Sequence, residues 1–192
     1  MRLGILCAGD EELAPFLPLI RECAVQEKGK LKFYSGKILQ TEVVALYSGV
    51  CKVNAAIAAL LLIEKFGAEA VINAGTAGGM RLGLQVSDTV ISTEAVYHDA
   101  APEILTDFHP WMQTECFPAD ERLPALSRQA MQQQKPEHAV YWGRMATGEA
   151  FIDAKGGRES GRLMSRFAWI WRRRRLPTSA MRWGFPFLRS EA

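Results

Sequence analysis

Apolar and polar positions change period several times along the chain. "RLGILCAG", residues 2–9, is a short apolar run that ends in glycine, the pattern of a buried strand. In "DEELAPFLPLIREC", residues 10–23, apolar residues fall at helical spacing with Asp10 as a candidate N-cap, while Pro15 and Pro18 argue against a long regular helix. "KFYSGKI" and "TEVVALYSG" alternate around "LQ" and read as a hairpin or adjacent strands. "CKVNAAIAALLLIEKFG", residues 51–67, is the clearest helix, closed by Gly67 and apolar enough to be read as a core helix. "AEAVINAG", "DTVISTEAVYHD" and "AVYWGRMATGE" read as further strands, with "DERLPALSRQAMQQQ" as a helix before the last of them. Strands alternating with helices predict an α/β layer fold.

Composition narrows the class. Apolar residues make up 48% of the chain and charged residues 23%, the balance of a folded globular protein. The longest apolar run, "AAIAALLLI", is far short of the roughly 20 residues that span a bilayer. The start, "MRLGILCAGDEEL", runs straight into acidic residues and makes a poor signal peptide, so a cytoplasmic location is expected. Cys7, Cys23, Cys51 and Cys116 are widely spaced, with no C-x-x-C pair and no His at ligand spacing; they read as plain thiols, and neither metal nor cofactor is expected.

Charge is distributed unevenly. From Arg158 onward there are nine Arg and two acids, a net +7, so the overall +2 leaves −5 for residues 1–157. A mildly acidic body therefore carries a strongly basic tail.

In an α/β fold the chemistry collects beyond the carboxyl ends of strands. "GDEE", "NAGTAGG" and "TGEAFID" stand at such places. Taken singly, "GTAGG" is equally a tight turn, and Asp10, Glu11 and Glu12 are equally a solvated helix start.

Their combination is more specific. "GILCAGDEEL", "YSGVCKVNAAIAA", "INAGTAGG", "YHDA" and "GEAFID" occur in the order and approximate spacing of the 5′-methylthioadenosine/S-adenosylhomocysteine nucleosidases, and residues 1–155 resemble that family of the purine nucleoside phosphorylase superfamily. The resemblance implies a three-layer α/β/α phosphorylase-like fold with a central mixed sheet, here with the C-terminal part missing. It implies hydrolysis of the N-glycosidic bond of 5′-methylthioadenosine and S-adenosylhomocysteine, releasing adenine in methionine salvage, usually by a homodimer and without a membrane. Glu12 matches the carboxylate that activates water, and a helix start suits its ionised form. Thr76 matches a small hydroxyl residue near the water and ribose, with Gly78 allowing close backbone approach. Phe151 matches the aromatic that stacks on adenine, Ile152 the residue whose main chain reads the base edge, and Val50 a wall of the thioalkyl pocket. Gly9 replaces a larger apolar residue, which implies a roomier thioalkyl end. His98 is expected to be a structural hydrogen-bond partner, and His109 and His138 are given no role. Water rather than phosphate is the expected nucleophile, because an ionised Glu12 would repel phosphate at the same place.

After "GEAFID" the family pattern fails. The family's Val-Asp-Met-Glu-Thr, whose glutamate grips the ribose, and its Arg-x-x-Ser-Asp, whose aspartate protonates adenine, are both absent from the chain. Trp169-Ile170-Trp171 can only be encoded TGG-ATH-TGG, and in another frame these bases force an Asp flanked by Val, Leu or Met and by Met or Leu. With suitable Arg codons that frame continues as Val-Asp-Met-Glu-Thr. Residues 156–192 are thus expected to be an aberrant, out-of-frame tail that supplies no regular buried strand or helix, and the chain as written to be inactive or nearly so. The alternative is a degenerate, non-enzymatic core with an Arg-rich arm for nucleic acid, or for an anionic membrane.

Overall fold

The structure, a computed structural model, describes residues 1–79, 81, 83–108, 112–134 and 136–149, together with two short strands at 167–169 and 185–187. It divides into two compact units, residues 1–75 with the 185–187 strand, and residues 76–182.

In the first unit β1 (Arg2–Cys7) is the central strand. It runs parallel to both β4 (Thr41–Tyr47) and β5 (Ala70–Asn73), pairing Cys7 with Tyr47 and Leu6 with Asn73. The sheet continues antiparallel from β4 through β3 (Leu31–Ile38) to β2 (Arg21–Lys28), as the alternation around Leu39 and Gln40 predicts. Successive residues of β1 and β4 alternate between two apolar clusters. Leu6, Val44 and Leu46 join Phe33, Val71, Ala58 and Leu62 on one face, while Ile5, Cys7, Val43 and Ala45 join Leu13, Ile20 and Ala74 on the other. Both faces are therefore covered, which is why these strands read as near-continuous apolar runs. The layers are α2 (Lys52–Glu64) on one side, and α1 (Asp10–Leu13) with a 3-10 turn at Leu17–Leu19 on the other.

As Pro15 and Pro18 predict, the 10–23 stretch holds no long regular helix, only α1 and the 3-10 turn. Three readings of this half are corrected, the first being that Arg21 onward belongs to a strand, β2. Every residue of β2 is exposed, so it has no apolar face to read. It is recruited instead by the turn at Gly29 and Lys30, both at positive φ, the backbone a two-residue hairpin requires. Asp10 is not the cap of α1. Gly9 takes that position with an extended backbone, and Asp10 is the first helical residue. Finally, α2 is not a fully buried core helix. Ala58 and Leu62 are buried, but Val53, Ile57 and Leu60 are 67%, 50% and 59% exposed. A helix apolar on all sides carries no periodic signal to show which face turns inward. Its end is as expected: Gly67 lies at φ +64° and donates to the Ile63 carbonyl at 3.1 Å, while Ala68 donates to Leu62 at 2.9 Å.

The second unit is built on β7 (Thr89–Tyr97), parallel to β9 (Val140–Thr147) and antiparallel to β8 (Cys116–Pro118). β10 (Phe167–Trp169) runs parallel to β9 and antiparallel to β6 (Gly78–Gly79), and β11 (Phe185–Phe187) lies antiparallel on β5 in the first unit's sheet. The described strands thus form two mixed sheets in an α/β fold. β10 and β11 correct the expectation that the basic tail holds no regular strand. Each lasts three residues, "FAW" and "FPF", short stretches without charge between arginines. Pro186 is tolerable because β11 is an edge strand, where a missing N–H need break no ladder. Of the helices, α4 (Arg122–Gln134) is where the pattern places one, and α3 (Pro102–Phe108) is additional. Trp142 on β9 donates from Nε1 to Ser127 Oγ at 3.1 Å, and Arg128 lies 5.4 Å over its ring, tying α4 to the sheet.

Two carboxylates stitch this unit together. Asp88 is 4% exposed and accepts from the backbone N–H of Gln85 at 2.8 Å and of Ala139 at 3.2 Å, aligning the starts of β7 and β9. Glu94 on β7 pairs with Arg144 on β9. Burial alone pushes the Glu94 carboxyl up, but hydrogen bonds from Arg144 and Cys116 and the Arg144 charge outweigh it, leaving the group below its ordinary value. A carboxyl depressed in the folded state stabilises above its unfolded pKa and loses that contribution as pH falls through the folded one. Glu94→Gln should therefore lower stability by roughly 0.5–1 kcal/mol at pH 7, since the pair is partly solvated. Urea unfolding should show that deficit shrinking once the pH drops below the ordinary carboxylate range; a deficit equal at pH 7 and pH 3 would contradict it.

Candidate active site

Because β4, β1 and β5 are parallel, their carboxyl ends share one edge of the first sheet. The segments leaving it are Ala8–Leu13 after β1, Ser48–Cys51 after β4 and Ala74–Gly75 after β5. Glu12 and Val50 both lie on this edge.

Glu12 is the third residue of α1 and is half-buried. Its Oε2 accepts from the backbone N–H of Ala8 at 2.9 Å and of Gly9 at 3.3 Å, so the side chain folds back over the end of β1. Glu11 and Asp10, its neighbours, are exposed. Since α1 is a single turn, these two donors contribute more to holding the carboxylate than a helix dipole does. Cys7, the last residue of β1, is fully buried, and its thiol is pushed up to about 12, first by burial and then by the Glu12 charge. Cys7 is thus a neutral thiol, not a nucleophile. A side chain added at Gly9 would meet nothing within 4 Å.

Val50 stands in a strained loop and is 42% exposed. Ser48 Oγ donates to the carbonyl of Gly49 at 2.7 Å, and Asn54 Nδ2 donates to the Val50 carbonyl at 2.7 Å from the first turn of α2. Gly49 sits at φ +77°, and Cys51, which caps α2, at φ 84° and ψ 151°. That last conformation is essentially reserved for glycine, and an L residue there stores about 1–3 kcal/mol.

In the second unit the carboxyl ends of β7 and β9 carry His98–Asp99 and Gly148–Glu149. The His98 N–H donates to the Thr147 carbonyl at 3.0 Å, and the Glu149 N–H to Asp99 Oδ2 at 2.5 Å. A Cβ at Gly148 would overlap the His98 ring. Thr76 is exposed and Gly78 opens β6. Phe151 and Ile152 lie outside the described residues. Of the sequence-derived candidates, the first unit thus brings Glu12 and Val50 to one edge, and Thr76 and Gly78 belong to the second. Asn54, Asp99 and Gly148 lie within the quoted motifs but were given no role there, and their contacts emerge only once the strand ends are placed.

Known proteins with this arrangement identify the family. The model of the phosphorylase superfamily matches residues 2–168. The chain is 37% identical over 158 residues to the 5′-methylthioadenosine/S-adenosylhomocysteine nucleosidase of Oceanobacillus iheyensis, across 81% of this chain and 68% of that protein. It is 35% identical over 157 residues to the enzyme of the same description from an Exiguobacterium species, across 80% and 66%. The chain therefore spans about two thirds of the length of these curated relatives. Among solved structures, the Neisseria meningitidis nucleosidase in complex with methylthio-immucillin-A superposes with a TM-score of 0.80 at 27% identity, covering 88% of this chain and 74% of that one. The Colwellia psychrerythraea nucleosidase in complex with adenine gives 0.80 at 27%, covering 88% and 72%. The chain belongs to the phosphorylase superfamily and, within it, to the 5′-methylthioadenosine/S-adenosylhomocysteine nucleosidases, a family of N-glycosyl hydrolases.

The strain at Cys51 is measurable. Cys51→Gly should raise stability by about 1 kcal/mol, the relieved strain exceeding the added entropy of a glycine in the unfolded chain. Cys51→Ala, which keeps the β-carbon, should not. Thermal or urea unfolding of the two variants would show this, and a Gly variant less stable than the Ala variant would contradict it.

Proposed function

We propose that the polypeptide is the N-terminal part of a hydrolase that releases adenine from 5′-methylthioadenosine and S-adenosylhomocysteine, with Glu12 as the base. The observation that carries this reading is the Glu12 carboxylate, held by the Ala8 and Gly9 amides at the carboxyl edge of the parallel strands. A base must be fixed within hydrogen-bond reach of the water it deprotonates, and backbone donors supply that fixing. Thr76, Gly78 and Val50 would line the ribose and thioalkyl sites, Phe151 would stack on adenine, and the Ile152 main chain would read its edge.

Water attacks the anomeric carbon as the C–N bond breaks. Glu12 takes the water's proton, and adenine leaves once its ring nitrogen is protonated. The chain as written holds a base for the first half of this reaction, but neither the Val-Asp-Met-Glu-Thr glutamate for the ribose nor the aspartate for the leaving base. It is accordingly a poor catalyst. The superfamily match ends at residue 168, immediately before the Trp169-Ile170-Trp171 run whose bases force the family's Asp, and with suitable Arg codons allow its full pattern, in another frame, which supports a frame change as the origin of the tail.

A homodimer in the cytoplasm completes the reading. Val53, Ile57 and Leu60 form an exposed apolar stripe on α2 at i, i+4, i+7, which suits burial against a second copy. No described helix is long and apolar enough to cross a membrane.

Two experiments test these statements. With the frame restored after the Asp153 codon, the protein should release adenine from 5′-methylthioadenosine, and Glu12→Gln should abolish release with the fold intact by circular dichroism; a Gln variant with most of the activity would reduce Glu12 to a helix cap. The 192-residue chain should be at least about 10²-fold slower than the restored one, the usual effect of losing a general acid. Sedimentation equilibrium should in turn find the restored protein dimeric and Ile57→Glu monomeric; an unchanged dimer would place the interface elsewhere.

A further inference from the structure

Gly75 is the first glycine of "GTAGG", where only Thr76 and Gly78 were singled out, yet it lies directly against Glu12. A Cβ built on Gly75 would stand 2.7 Å from Cδ, Oε1 and Oε2 of Glu12, closer than real Cβ atoms approach any heavy atom. All three distances are equal, so the carboxylate faces the place that a Cβ would occupy. Gly75 does not lie in the left-handed region, so what the position requires is space and not an unusual backbone. Nor can the carboxylate easily withdraw: moving it off Gly75 means giving up the hydrogen bonds from Ala8 and Gly9.

We propose that Gly75 is a positioning residue that, together with the Ala8 and Gly9 amides, clamps the Glu12 carboxylate in one plane at the carboxyl edge of β1 and β5. The role follows from contact with Glu12, and its catalytic meaning rests on Glu12 being the base. Gly75→Ala then pushes the carboxylate out of register while leaving the strands paired, because β5 ends two residues earlier at Asn73.

The test is a cycle read by hydrogen exchange on the 192-residue chain. Gly75→Ala should speed exchange of the Ala8 and Gly9 amides by about 10-fold or more, the loss expected when a charge-assisted hydrogen bond is broken. In a Glu12→Ala background, where no carboxylate is present to be displaced, adding Gly75→Ala should change those amides by less than twofold. Equal acceleration in both backgrounds would mean that Gly75 matters only to the local backbone, and no acceleration in either would mean that it does not touch Glu12; each overturns the proposal. In the frame-restored protein, Gly75→Ala should lower kcat about 10²-fold with KM for 5′-methylthioadenosine nearly unchanged, as misplacement of a base by about an ångström does. A rise in KM with kcat preserved would make Gly75 a wall of the binding site instead. If the restored protein had no activity at all, the nucleosidase reading would fail while the exchange cycle still decided the clamp.

Discussion

The first unit depends on one constraint, that β1 lies parallel between β4 and β5 with both faces covered. Parallel pairing brings three strand ends to the same edge, and burial on both faces fixes the register, since a slip by one residue would move Leu6 and Val44 from one apolar cluster into the other. Everything chemical in this half is a consequence. Glu12 can reach back to Ala8 because α1 begins directly at the end of β1, and Gly75 can lie against it because β5 ends beside the same strand.

The edge is held polar group by polar group over an apolar base. Cys7 and Ala74 belong to the cluster beneath it, while Ser48, Asn54 and Glu12 bind backbone atoms above it. Such sites depend on preorganised backbone donors, whose positions are set by the fold and cost no reorganisation during reaction. Strain has collected at the same edge. Gly49 and Cys51 both lie at positive φ on the loop between β4 and α2, and only one of them is a glycine.

Much of this was legible in the sequence. β1, the β3–β4 hairpin, α2 with its Gly67 end, β5, β7, α4 and β9 all follow from period and turn chemistry, and the motifs placed Glu12 and Val50 beyond strand ends. What was not legible has specific causes. β2 has no buried face and exists only because Gly29 and Lys30 fold it onto β3. The outward face of α2 is hidden by a sequence apolar on every side. β10 and β11 are three-residue pairings made by backbone atoms, which leave almost no side-chain signature. Gly75 stands in the quoted "NAGTAGG", but its role was not legible because it lies in an atom the residue lacks, and only the position of Glu12 reveals that.

The central claim is that the carboxyl edge of β4, β1 and β5 receives a nucleoside beside Glu12. The most direct measurement is backbone amide NMR of the 192-residue chain titrated with 5′-methylthioadenosine. Among residues 1–75, the account predicts saturable shifts confined to Ala8, Gly9, Gly49, Val50 and Gly75, with the β2–β3 hairpin unmoved. Shifts centred on that hairpin, or none at millimolar nucleoside, would contradict it.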